Sequence, residues 1–243
     1  MALNFEVLDS QDTALGELVL RRRLSPAVPG EWVYEVTLDH EMLMSSVVNA
    51  SERALARIAL EGRAGQPCDV LVGGLGLGYT AAAALEHPFV RSAVVVELLA
   101  PVVSWHRDRL VPLAAHLMDD PRCRFVEADF FEHVGSEPAG ERYDAILLDI
   151  DHSPDCWLRA GHGHFYNADG PRRLARHLKP RGVFAVWSAW EPAQDFLDAL
   201  GAAFPTVETH EIPFRNPHLR KDVSNWIVTA EGAGLSQPPV VPG

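Results

Sequence analysis

The chain has 243 residues, with 21 Lys and Arg against 33 Asp and Glu, for a formal net charge of −12. A composition of 47% apolar and 22% charged residues is that of a globular domain and excludes wholesale disorder or a fibrous repeat. The acidic balance argues against nonspecific binding to nucleic acid or anionic membrane, which needs a basic face, and favours a cationic or neutral partner. Cys68, Cys123 and Cys156 are widely spaced and form no CxxC pair, so a reducing cytoplasm is expected and a disulfide framework is not. The opening MALNFEVLDSQD has neither the basic nor the apolar region of a secretory signal, and no apolar run approaches the roughly 18–20 residues of a membrane span.

Taken in chain order, Asn4–Leu8, Gly16–Arg22 and Trp32–Leu38 read as short strands separated by turn formers such as Ser25-Pro26 and Pro29-Gly30. Ser51–Leu60 reads as a helix, with Ser51 as its cap and Leu55, Ile58 and Ala59 on one face. From Asp69 onward apolar strands alternate with helices. The strands are Val70–Gly73, Ala93–Glu97, Arg124–Glu127, Ala145–Asp149 and Val183–Ser188, and the helices Thr80–Glu86, Pro101–Leu117 and Pro171–His177. This alternation predicts an α/β fold with a parallel sheet covered on both faces. Ala193–Phe204 follows as a helix, and Val207–Ile212 with Ser224–Ala230 as a closing antiparallel pair. The expected organisation is an N-terminal β-element over 1–50, a main domain over 51–230 and a flexible tail over 231–243, where three prolines leave little to bury. The N-terminal strands leave edges that a homodimer would cover.

The sharpest local feature is the run from Val70 to Thr80, in which a buried strand meets a glycine-rich turn and then a helix of small residues. Gly74, Gly76 and Gly78 let the backbone approach a ligand closely. Glu97 ends the second strand, roughly 20 residues beyond the loop, where a carboxylate accepts hydrogen bonds from the ribose of a nucleoside. No cation lies between Gly73 and Gly78 or in Leu98-Leu99-Ala100, which disfavours the pyrophosphate of NAD. Asp129, at the tip of the third strand, suits either of two roles. It can accept the exocyclic amine of an adenine, with Phe130 or Leu98 against the ring, or cap the following turn.

These motifs in this order resemble the spermidine synthase-like branch of the class I S-adenosylmethionine (AdoMet)-dependent methyltransferase fold. The resemblance rests on DVLVGGLGLGYT (69–80), SAVVVEL (92–98), DPRCRFVEADFFE (120–132), ERYDAILLDIDHSP (141–154), HFYNADGPRRLARHLKPRGVFAVWSA (164–189) and FPTVETHEIPF (204–214). It implies a Rossmann-like seven-stranded sheet with a small N-terminal β-hairpin element, and AdoMet or decarboxylated AdoMet bound at the strand ends. On this resemblance Gly74, Gly76, Gly78, Glu97, Leu98, Asp129, Phe130 and Asp149 bind the nucleoside, and Asp149 is the catalytic aspartate. A carboxylate there deprotonates or orients an attacking amine and favours a cationic acceptor. Asp151 and His152 join it as candidate catalytic residues in a loop whose spacing, Asp149-Ile150-Asp151-His152-Ser153-Pro154, differs from the family's aspartate-serine-serine-aspartate-proline.

Three departures shape the expected reaction. Leu77 stands where aminopropyltransferases carry an aspartate for the donor's ammonium. Of the family's tyrosine-histidine-glutamate signature, Ala50-Ser51-Glu52-Arg53 keeps only the glutamate. Leu43-Met44-Ser45-Ser46 replaces an expected nucleoside-binding glutamine. Because an unpaired buried ammonium is costly, methyl transfer from AdoMet to a small amine-bearing molecule is expected. Aminopropyl transfer from decarboxylated AdoMet, and a noncatalytic nucleoside-binding role, are the alternatives. His162 and His164 lie in the loop that should cover the site and read as lid or substrate contacts, so no metal site is assigned. Trp187 and Trp190 either wall the acceptor pocket or pack against a helix.

Overall fold

A computed structural model describes residues 4–232 apart from 27, 139 and 218. The N-terminal part is a four-stranded antiparallel sheet in sequence order: β1 (Phe5–Thr13), β2 (Gly16–Ser25), β3 (Val28–Leu38) and β4 (Glu41–Ser45). The fourth strand is absent from the sequence reading. Its turn uses Asp39 and His40, both at positive φ (47° and 67°). That is the hairpin geometry usually signalled by Asn-Gly, and here the signal is missing.

The main domain follows as α1 (Ala50–Ala59), β5 (Cys68–Gly73), α2 (Tyr79–Leu85), β6 (Val90–Glu97), α3 (Ala100–Arg107), α4 (Ala114–Asp119), β7 (Cys123–Glu127), α5 (Phe130–Gly135) and β8 (Tyr143–Leu148). A short 3-10 turn at Ala160–His164 leads to α6 (Asp169–Ala175), β9 (Leu178–Ser188), α7 (Gln194–Gly201), β10 (Thr206–Asn216) and β11 (Lys221–Glu231). The seven strands are ordered β10-β11-β9-β8-β5-β6-β7, parallel except where β11 pairs with β9 and β10. Successive residues of a strand face opposite sides of a sheet. Val70 and Val72 therefore join one core with α1 to α4, while Leu71 joins the other with Phe130, Leu174 and Phe196 of α5 to α7. Leu18, Leu20 and Val36 of the N-terminal sheet enter the first core, and Trp105 of α3 donates its indole N–H to Asp9 at 2.7 Å.

Several sequence expectations change. The single helix expected over 101–117 is two. Leu110 N–H donates to Trp105 O at 2.8 Å and Arg109 N–H to His106 O at 3.2 Å, with Arg109 left-handed at φ 59°. This is a Schellman ending with arginine in glycine's usual place, followed by Pro112. Ser51 is not a cap: Asn49 holds that position and Ser51 lies inside α1, buried. Helix α5, only six residues long, shows too little periodicity to be read from sequence. Strand β11 ends at Glu231, and the tail expected beyond it lies, from residue 233, outside the described residues. No helix among the described residues is long and apolar enough to cross a membrane. All three cysteines are free thiols.

Candidate active site

Strand order reverses direction at β5, whose neighbours β6 and β8 continue to opposite edges of the sheet. Open α/β sheets place ligands at the carboxyl ends of the strands flanking such a point. Here a cavity of about 900 Å³ opens between the strand tips and the N-terminal sheet, large enough for a nucleoside and a second small molecule.

The glycine loop is shaped by its neighbours. A Cβ on Gly74, at φ 93°, would lie 2.1 Å from the carbonyl oxygen of Asp149, and one on Gly78, at φ 92°, 2.6 Å from Leu117 Cδ1. Gly74 thus lets β5 and β8 close on each other at their tips. Gly74 N–H donates to Val96 O at 2.9 Å and Asp149 N–H to Gly73 O at 2.8 Å. Gly78 makes room for the core and also borders the cavity. Behind the loop, buried His106 places Nε2 2.9 Å from Gly76 O. Burial pushes its imidazole below the usual range, so a neutral ring donates from Nε2 to that carbonyl.

Glu97 is held by backbone amides, Oε2 accepting from Leu75 N–H at 2.9 Å and Oε1 from Leu99 N–H at 2.8 Å. Burial raises its carboxyl above the ordinary value, against those amide bonds. Leu98 projects half-exposed beside it into the cavity. Asp129 caps α5, with Oδ1 accepting from Phe131 N–H at 2.8 Å and Glu132 N–H at 3.2 Å, while Oδ2 lies 3.2 Å from Arg159 Nη1. Phe130 is buried against Gly73, where a Cβ would meet its ring at 2.6 Å. Glu97, Leu98, Asp129, Phe130 and the three loop glycines all line the one cavity.

Asp149, at the tip of β8, accepts the Thr80 hydroxyl at 2.6 Å. Glu52 of α1 lines the same cavity. Burial and then repulsion from Asp149 lift the Glu52 carboxyl to about 7, and burial lifts Asp149 to about 6 despite the Thr80 bond. The two carboxyls therefore titrate as one unit near neutrality, and a cation placed between them favours the ionised forms. The Ser51 hydroxyl reaches Glu52 Oε2 at 2.8 Å and Asn225 Oδ1 at 3.0 Å, tying this pair to β11. Glu52 and Thr80 escaped the sequence assignment of site residues, although the surviving glutamate of the 50–53 segment was the available signal.

Asp151 and His152 both line the cavity but differ in their contacts. Asp151 is 3% exposed. It accepts from Leu158 N–H at 2.7 Å and the Tyr166 hydroxyl at 2.9 Å, and pairs with His162 Nδ1 at 2.8 Å. Three contacts occupy its carboxylate and pin the loop after β8. His162 Nε2 is buried with no partner among the described residues, its ring against Phe131 at 4.2 Å. His152 lines the cavity, and its carbonyl accepts from Ala189 N–H at 2.8 Å. Trp187 also lines the cavity, whereas Trp190 turns to Asp155 at 3.1 Å.

The strand order, the glycine loop and the carboxylates at successive strand tips define the class I methyltransferase type of Rossmann-like fold with an added N-terminal sheet. Within that class, the chain belongs to the spermine/spermidine synthase domain family, whose model matches residues 37–197. It is similar to a polyamine aminopropyltransferase of Pyrobaculum calidifontis, 32% identical over 152 residues that cover 60% of this chain and 52% of the relative. It is also similar to polyamine aminopropyltransferase 2 of Pseudomonas aeruginosa, 32% identical over 125 residues, 50% of this chain and 33% of the relative. The chain spans about half the length, or less, of these curated relatives. In fold it matches a spermidine synthase solved with the transition-state analogue AdoDATO at TM-score 0.71 and 21% identity, over 93% of this chain and 73% of that one. A spermidine synthase from Thermotoga maritima matches at TM-score 0.69 and 18% identity, over 93% and 72%.

These findings correct the expected reaction. Methyl transfer was favoured chiefly because Leu77 offers no charge to a donor ammonium, yet the curated relatives are aminopropyltransferases. Leu77 is 3% exposed and packed into the first core. One lost charge there leaves the Glu52–Asp149 pair intact, and that pair supplies anionic groups beside the loop.

Proposed function

We propose that the chain is a polyamine-type aminopropyltransferase that uses decarboxylated AdoMet and a small amine acceptor, acting in the cytoplasm. The observation that carries this reading is the half-buried Glu52–Asp149 carboxylate pair beside the glycine loop, in a chain of the spermine/spermidine synthase family. Glu97 accepts from the ribose hydroxyls with the lone pairs its amide bonds leave, Asp129 Oδ2 faces the adenine amine, and Leu98 and Phe130 border the ring. When bound, the donor supplies a carbon activated by sulfonium: the acceptor nitrogen forms the new C–N bond as the C–S bond breaks, its electron pair staying on sulfur.

The residues of this chain do the rest. Asp149 and Glu52 attract the acceptor as an ammonium, take the proton that must leave before its lone pair is free, and counter the positive charge of the reacting centre. Thr80 fixes Asp149 in orientation. The apolar lining at Leu98, Phe130 and Trp187 limits water, which strengthens each charge interaction. Incubation of the full chain with decarboxylated AdoMet and a panel of primary amines tests the reading. Release of methylthioadenosine with formation of an aminopropylated amine supports it, and binding of the donor without turnover for any amine overturns it.

A further inference from the structure

The N-terminal sheet gives the cavity a wall whose charge is opposite to that of the strand tips. Arg21 of β2, Glu35 of β3 and Ser45 of β4 are opposite one another in register, so they share one face, and all three line the cavity together with Arg23. Glu35 is 1% exposed. Its Oε2 accepts from Arg21 Nε at 3.0 Å and its Oε1 from Arg23 Nε at 2.8 Å. Burial would raise its carboxyl, but the two guanidiniums hold it below the ordinary value. One buried carboxylate needs one cation for neutrality. Two arginines leave this wall with a net positive charge.

Arg21 meets Glu35 through Nε and its guanidinium lies 5.9 Å from the Phe5 ring, with the side chain 31% exposed. The guanidinium fork carries five N–H donors and matches a carboxylate with two of them. Ser45 adjoins Ser46, whose carbonyl accepts the Tyr79 hydroxyl at 3.1 Å just past the glycine loop. Two inter-strand spacings separate Ser45 from Arg21, so Arg21 stands about 10 Å across the sheet from the loop side. The cavity is therefore bipolar, with Glu52 and Asp149 at the strand tips and Arg21 and Arg23 against Glu35 on the face that the N-terminal sheet turns to it. A diamine lying along this axis would bring its second ammonium to Arg21 and Arg23. An amine with a carboxylate at its far end matches both poles.

We propose that the preferred acceptor is an amino carboxylate, its reacting nitrogen at Asp149 and its carboxylate on Arg21, both of which line the one cavity. This deepens the transfer reading and rests on it. The test compares aminooctanoate with diaminooctane, an ω-amino acid and a diamine of matched length, as acceptors for the full chain with decarboxylated AdoMet. The amino acid is expected to have the higher kcat/KM by about tenfold. Arg21→Gln lowers the rate with aminooctanoate and raises that with diaminooctane, so their ratio falls by about 100-fold, and Arg21→Lys recovers part of it. A preference for the diamine in the unaltered chain, or an equal loss with both acceptors in Arg21→Gln, overturns the proposal and leaves aminopropyl transfer standing. Calorimetry of aminooctanoate with the methylthioadenosine-loaded chain separates the two ideas. Binding that Arg21→Gln abolishes, without turnover of any amine, removes the transfer reading and keeps the carboxylate site. Absence of that binding in the unaltered chain removes the site, whether or not Arg21→Gln folds.

Discussion

The Thr80 hydroxyl donates to Asp149 Oδ2 at 2.6 Å, joining the first turn of α2 to the tip of β8. The bond favours the ionised form of a carboxyl that burial pushes the other way. Thr80→Val removes it, and the Asp149 carboxyl then rises further. Activity should begin at a higher pH, with kcat/KM near neutrality down about tenfold. A pH–rate profile checks this, and an unmoved profile would mean that Thr80 does not set the charge state of Asp149.

Glu52 sets stability against function. Its folded carboxyl is raised, so the stability linked to it is fully present below the ordinary carboxylate range and is lost as pH rises through about 7. Glu52→Gln cannot ionise. It should therefore be more stable than the unaltered chain at about pH 8, by on the order of 1–2 kcal/mol, with the gain fading below about pH 5. Urea unfolding at the two pH values measures the difference. Transfer activity should fall in the same variant at both.

On the proposed reading Glu97 faces the ribose, with its oxygens anchored by the Leu75 and Leu99 amides. Glu97→Gln replaces an anionic acceptor by a neutral one with a single acceptor atom. Affinity for methylthioadenosine should drop by roughly 10- to 100-fold, consistent with the loss of charged hydrogen bonds. Calorimetric affinity within twofold of the unaltered chain would place the ribose elsewhere.

Asp151 holds the loop after β8 through Leu158, His162 and Tyr166. Asp151→Ala leaves those buried groups unpaired and should cost on the order of 3 kcal/mol, visible in chemical unfolding. Tyr166→Phe, which removes one of the three contacts, should cost about 1 kcal/mol and leave donor affinity unchanged. A fully stable Asp151→Ala with lost turnover would instead give Asp151 a direct part in the chemistry.

Much of this fold was legible because its signals are local. The strands from Val70 to Ser188 are continuous apolar runs, and the glycine loop with Glu97, Asp129 and Asp149 at strand tips follows from element order alone. Two features depended on chain geometry that composition hides. Arg109 ends α3 in a left-handed conformation without a glycine, and Asp39-His40 turn β3 into β4 without Asn-Gly. The site was legible where one residue carries the function and illegible where distant segments meet. Glu52 joins Asp149 only once α1 packs beside the strand tips, and the contacts that tie Asp151 to His162 and Tyr166 are hidden in sequence because those partners come from a later loop. The missing charge at Leu77 misdirected the reaction for the same reason: it was weighed without the carboxylates that the fold brings near the loop.

The most direct measurement of the central claim offers the chain AdoMet and decarboxylated AdoMet together, in equal amounts, with an amine acceptor. The nucleoside products are then quantified. Aminopropyl transfer predicts methylthioadenosine, with S-adenosylhomocysteine at background, and no methylthioadenosine above background from Asp149→Asn protein that still binds the nucleoside. Accumulation of S-adenosylhomocysteine in its place would contradict the assignment.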